Sequence, residues 1–176
     1  SGVIGADQKL NHGVAISSVI QADENTSVEL CKFPDGSGSL FRLAFMSSGG
    51  GPAWKRILKL IWGCIIHPGD LWTWIRKGQD SRTAVVVLVM QQLKNALTMK
   101  WSGRTMKLTS AQNAPPIPVF IPAGFEVIKR LARKTNGVAV SALTETVFNM
   151  STTAHILGGC PMAESEKEGV VNQRFE

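Results

Sequence analysis

The chain carries only three cysteines in 176 residues, Cys31, Cys64 and Cys160, with no Cys-x-x-Cys pair among them. An odd, widely spaced set excludes a disulfide framework and a cysteine-rich zinc site, and fits a reducing, cytoplasmic setting. Histidine is equally sparse. His12, His67 and His155 lie far apart without metal-ligand spacing, so no metal site is expected. No apolar run approaches the roughly 18 residues of a membrane-spanning helix, and the first residues lack the basic, apolar and small-residue succession of a signal peptide. Nowhere do a strand, a Gly-x-Gly-x-x-Gly turn and a helix follow one another as a dinucleotide site requires, and the glycine run at 47–52 (SSGGGP) is not that motif. Internal repeats and low-complexity tracts are also missing.

What is present is the composition of an ordered globular chain, 44% hydrophobic and 18% charged. Lysine and arginine outnumber aspartate and glutamate by 19 to 13, a net charge of +6. That balance attracts nucleic acid, anionic lipid or an anionic cofactor. The basic residues are scattered, however, and no nucleic-acid-binding motif accompanies them, so a nucleic-acid partner is not expected. The densest groups, Lys55-Arg56-Lys59 and Lys129-Arg130-Arg133-Lys134, fall on helical patterns and are expected on solvated faces.

Residues 13–22 (GVAISSVIQA) and 26–33 read as two strands joined by the turn chemistry of Asp23-Glu24-Asn25. Pro52 suits the first turn of a helix, in which Trp54, Ile57, Leu58, Ile61, Trp62 and Ile65 recur at three-and-four spacing up to His67-Pro68. A shorter helix follows over 70–77, capped by Asp70 and ended by Gly78. The run 83–90 (TAVVVLVM) is apolar without alternation, as for a strand buried on both faces at a sheet centre. Residues 96–101 and 104–109 flank a two-residue turn, Ser102-Gly103, in a hairpin that extends the sheet. The proline-rich stretch 114–122 is extended and leads to a helix marked by Val127, Ile128 and Leu131, closed by Asn136-Gly137. Residues 138–148 show no clear period.

The segment with most chemistry is 152–162 (TTAHILGGCPM), where His155 precedes Gly158-Gly159 by three positions. Paired glycines allow close approach of a ligand to the backbone, and histidine is the side chain suited to exchanging a proton near neutral pH. On spacing alone, a loop histidine hydrogen-bonded to backbone is the commoner outcome. His155 and Cys160 form no convincing base and thiol pair, because nothing in the sequence orients the histidine, and a small buried cysteine is the simpler reading. Asn149 and Asn172 are too ordinary in loops to nominate.

Several segments in order resemble the glucose-methanol-choline (GMC) oxidoreductase family, in its bacterial cholesterol-oxidase-like branch. TTAHILGGCPM resembles the family's late His-x-x-Gly-Gly motif, and 169–175 (GVVNQRF) its lead-in to the final strand. VVVLVMQQLKNALTMKW, PVFIPAGFEVIKRLA and HGVAISSVIQADENTSVE are similar to that branch's substrate-domain segments in the same order. The resemblance implies an α+β fold, an antiparallel sheet flanked by helices. It divides the chain into a tail of the FAD-binding domain or linker (1–12), a substrate-binding domain (13–150) and a segment returning to the FAD-binding domain (151–176). It further implies FAD as cofactor and oxidation of a hydrophobic alcohol such as a sterol, with His155 catalytic and Gly158 and Gly159 beside the flavin ring. A second catalytic Asn or His would follow Glu176, so this stretch by itself is expected to be inactive. The KFPDGSGS stretch at 32–39 departs from the branch's pattern.

A rival reading rests on the tryptophan-rich helix. Trp54, Lys55, Arg56, Lys59 and Trp62 would suit a membrane interface, in a peripheral enzyme or in a non-enzymatic lipid-binding module. The simpler expectation is that its apolar stripe packs on the sheet.

Overall fold

The computed structural model describes residues 1–111, 113–152 and 161–176. In chain order its elements are β1 (Gly2–Ile4), β2 (Ile16–Asp23), β3 (Thr26–Cys31), a 3-10 turn (Ser37–Leu43), β4 (Ala44–Met46), α1 (Ala53–Ile66) and α2 (Pro68–Lys77). A second 3-10 turn (Ser81–Thr83), β5 (Val85–Gln91), β6 (Leu97–Trp101), β7 (Met106–Ser110), α3 (Pro122–Thr135), β8 (Val138–Ala142) and α4 (Leu143–Thr146) follow. Six strands make one sheet in the order β2-β3-β5-β1-β8-β4, while β6 and β7 pair only with each other. Every strand pairing is antiparallel. The protein is thus a mixed fold, an antiparallel sheet with helices against it.

β5 lacks alternation because it has a partner layer on each face. Val85 and Val87 join Val3, Val28, Ile128 and Ala132 in a cluster beneath α3. Ala84 and Val86 belong to a second cluster with Ile4, Phe41, Met46, Val138 and Val140, packed by Leu71 and Trp74 of α2. Trp74 is fixed there by an Nε1–H bond to the Ala44 carbonyl at 2.9 Å and by edge-to-face contact with Phe45 at 4.6 Å. β1 is too short to announce itself, yet all three of its residues are buried, because β5 and β8 pair on either side of it. α3 ends as its sequence predicts, with Asn136 left-handed at φ 52° and the Gly137 N–H bonded to the Ala132 carbonyl.

Four expectations need correction. α2 begins at Pro68 rather than Asp70, since proline at the first helical position needs no N–H partner, and Asp70 sits inside the first turn. In the hairpin, Ser102 N–H bonds to the Thr105 carbonyl, so the corner is Gly103-Arg104, with Gly103 supplying the positive φ of 82°. That hairpin does not extend the main sheet, because β3 and β1 already occupy both edges of the strand it follows. The last concerns α1. Its apolar stripe, Trp54, Leu58, Ile61, Trp62 and Ile65, faces solvent, with Trp62 62% exposed, while the one buried residue of the helix is Arg56. α2 and the first 3-10 turn already cover that sheet face, leaving α1 to touch it through its Gly63 and Cys64 side.

Candidate functional site

His155, Gly158 and Gly159 lie outside the described residues, as does Cys160; the structure places the chain on either side of them. On the incoming side, α4 carries the chain from β8 to a turn in which the Met150 N–H bonds to the Thr144 carbonyl at 3.0 Å. Asn149 is left-handed there, at φ 54°, a conformation its short amide side chain tolerates. Its Oδ1 accepts a hydrogen bond from Nη2 of Arg56, so α1 is tied to the approach to the His155 segment. On the outgoing side, the Val170 N–H bonds to the Pro161 carbonyl and the Ala163 N–H to the Val171 carbonyl, which pins residues 161–171 as a compact loop.

Ser151 and Thr152 line a cavity of about 160 Å³ in the gap between β5 and β8, beyond the Ser1 end of β1. One wall is apolar: Val87, Val89, Phe120, Phe125 and Ile128, with Phe120 and Phe125 edge to face at 5.2 Å. The other side carries Ser1, Arg56, Ser141, Glu145 and Thr152. Ser1 Oγ donates to Glu145 Oε2 at 3.1 Å, and the hydroxyls of Ser47 and Ser141 are 2.7 Å apart. Arg56 is only 3% exposed, and its buried Nε–H has no partner among the described residues. A buried guanidinium keeps its charge, so a donor left unmatched favours an acceptor nearby. Ligand pockets typically enclose roughly 300–1,000 Å³, so a large molecule bound here would project from the opening.

Elsewhere the chemistry is quiet. Burial, and then the Glu29 carboxylate, push the Cys31 thiol up, away from the thiolate form a nucleophile needs. Asp80 is held below the usual carboxylate range, chiefly by hydrogen bonds from Arg82. Among the described residues, no group of His, Cys, Asp and Glu is placed to hold a metal ion, and no helix is long and apolar enough to cross a membrane. Sequence reasoning put Arg56 on a solvated face and did not nominate Glu145 or Asn149. No spacing signal would have found them, because their proximity depends on the packing of α1 against the turn after α4.

No family model matches the chain, and no solved structure is similar to it. Three curated proteins are. The cholesterol oxidase of Acinetobacter baumannii is 31% identical over 172 residues, covering 96% of this chain and 31% of that protein. The cholesterol oxidases of two Mycobacterium tuberculosis strains are each 31% identical over 180 residues, covering 96% of this chain and 30% of theirs. The chain therefore spans about a third of the length of the curated relatives it matches. Across nearly all of its own length, it is similar to proteins of the cholesterol-oxidase-like kind.

Proposed function

We propose that the chain is part of an FAD-dependent GMC oxidoreductase that oxidises the CH–OH group of a hydrophobic alcohol, of the sterol class, to a carbonyl. The observation that carries this reading is the 31% identity to proteins named cholesterol oxidase over 96% of the chain. The ordered resemblance of its motifs to that branch supports it. The mostly apolar cavity, with polar groups on one side, is in keeping with such a substrate. In this reading His155 sits near the substrate hydroxyl, orienting it and taking up its proton as the carbonyl forms. Gly158 and Gly159 let the backbone come close to the flavin ring, since neither carries a side chain. The flavin, when bound, supplies the hydride acceptor. The fit to that cofactor is partial: the residues of this chain offer ring-side contacts and no dinucleotide-binding glycine turn. A cytoplasmic location belongs to the same proposal and rests on the cysteine pattern alone.

The lipid-binding module is not adopted as a separate function. Trp54 and Trp62 are exposed, as it requires. The similarity to oxidases, however, runs through that helix as through the rest of the chain, so lipid contact is better read as a property of the enzyme.

The test is to express the complete reading frame and follow its visible spectrum anaerobically with a sterol alcohol. Oxidised-flavin absorbance should bleach on addition of the alcohol. In His155→Ala the absorbance should persist, with bleaching slowed by about 10²–10⁴-fold. A complete protein that binds no flavin would sink the proposal.

A further inference from the structure

The β6–β7 hairpin stands apart from the main sheet and sorts its residues by chemistry. In its register Met99 faces Leu108 and Trp101 faces Met106, while Lys100 faces Lys107 and Thr98 faces Thr109. Side chains alternate along a strand, so Leu97, Met99, Trp101, Met106 and Leu108 share one face and the lysines and threonines the other. Those five apolar residues are 49 to 65% exposed. A two-stranded ribbon has little stability of its own, and a continuous apolar face on it calls for cover.

The charge around the hairpin says what kind of cover. Residues 81–125 contain Arg82, Lys94, Lys100, Arg104 and Lys107 and no aspartate or glutamate. Among the described residues, none of Lys94, Lys100, Arg104 and Lys107 takes part in an ion pair. Arg104 sits at the corner, beside the Trp101 and Met106 pair. Tryptophan with methionine and leucine, backed by unpaired cations, is the composition of elements that lie in a bilayer interface. There the apolar face enters the headgroup boundary and the long cationic side chains reach the phosphates.

We propose that the apolar face of the β6–β7 hairpin docks on the surface of an anionic phospholipid bilayer. The inference rests on the hairpin alone and stands whether or not the protein oxidises an alcohol.

The protein from the complete reading frame should float with phosphatidylcholine vesicles containing phosphatidylglycerol and bind them about tenfold or more tightly than phosphatidylcholine alone, an excess that salt removes. Trp101→Glu should abolish flotation without changing the circular dichroism, since the side chain is 65% exposed and supports no packing. Lys100→Gln with Lys107→Gln should weaken it. Met99→Cys, labelled with an environment-sensitive fluorophore, should shift to the blue on anionic vesicles, with the unsubstituted protein as control for Cys31 and Cys64. No flotation overturns the proposal, and so does flotation that Trp101→Glu leaves intact, which would assign the contact to another surface. A Met99→Cys thiol that resists labelling before lipid is added also overturns it, because the face would then be covered by protein, whether the same chain or a second copy.

Discussion

At Asp80 one carboxylate does two local jobs. Its Oδ1 accepts the Arg82 backbone N–H at 3.0 Å, closing the 3-10 turn that leads into β5, and both oxygens accept from the Arg82 guanidinium. Its pKa is therefore depressed in the folded state. A carboxylate of this kind contributes stability above its unfolded pKa and loses it as pH falls through the folded value. Asp80→Ala should cost about 1 kcal/mol near neutral pH by removal of the cap. The gap from the parent should narrow below about pH 4, where the parent loses the same charge; a gap that does not change with pH would mean the charge is irrelevant. Gly124 makes a different demand. A Cβ there would fall 2.4 Å from Val89 Cγ1, and valine is too stiff at χ1 to swing aside. Gly124→Ala should raise the α3–β5 separation and destabilise by about 1–3 kcal/mol, read as a lower urea midpoint.

Helices α1 and α3 show how far an element can be read from its own sequence. Both have a helical apolar period with cations elsewhere on the wheel. For α3 the period pointed to the core, and Ile128 and Ala132 are indeed buried against β1, β3 and β5. For α1 it pointed the same way, and the structure turns the stripe outward. Periodicity identifies that a face exists; which surface it meets is decided by which other elements reach the sheet first, here α2 and the 3-10 turn at Ser37–Leu43. The same reason hid β1 and β8. Strands of three and five residues carry too few alternations to register, and their place is set by long-range pairing. The burial of Arg56 was hidden in the same way. By contrast, the β2–β3 hairpin, the centrality of β5 and the left-handed stop of α3 at Asn136 follow from local turn chemistry and apolar density, and were legible. The two helices should therefore answer differently to truncation. Ile128→Ala should cost about 2–5 kcal/mol, whereas Trp62→Ser should stay within about 0.5 kcal/mol, measured as shifts in urea midpoint at constant slope. Equal losses would place Trp62 in a core that the structure does not give it.

For the molecule as a whole, the exposed apolar surface is what most needs explaining. Trp54, Leu58, Trp62 and Ile65 on α1, Trp72 and Ile75 on α2, and Val19 on β2 all face solvent, in addition to the β6–β7 hairpin. Patches of this extent on soluble monomers mark interaction surfaces. The curated relatives are about three times as long as the matched stretch. The candidate site has the same character, since the His-Gly-Gly segment was legible from its residue order while the polar side chains around the cavity were not. The 176-residue chain, purified by itself, should self-associate at micromolar concentration and enhance the fluorescence of a hydrophobic dye. Leu58→Glu with Trp62→Glu should shift its sedimentation toward the monomer without loss of secondary structure, because neither side chain supports the core. If the double substitution unfolds the chain instead, the α1 face is internal packing and its outward orientation here is wrong. If it leaves self-association unchanged, the association runs through β2 or the hairpin, and substitutions at Val19 and Trp101 then separate those two faces.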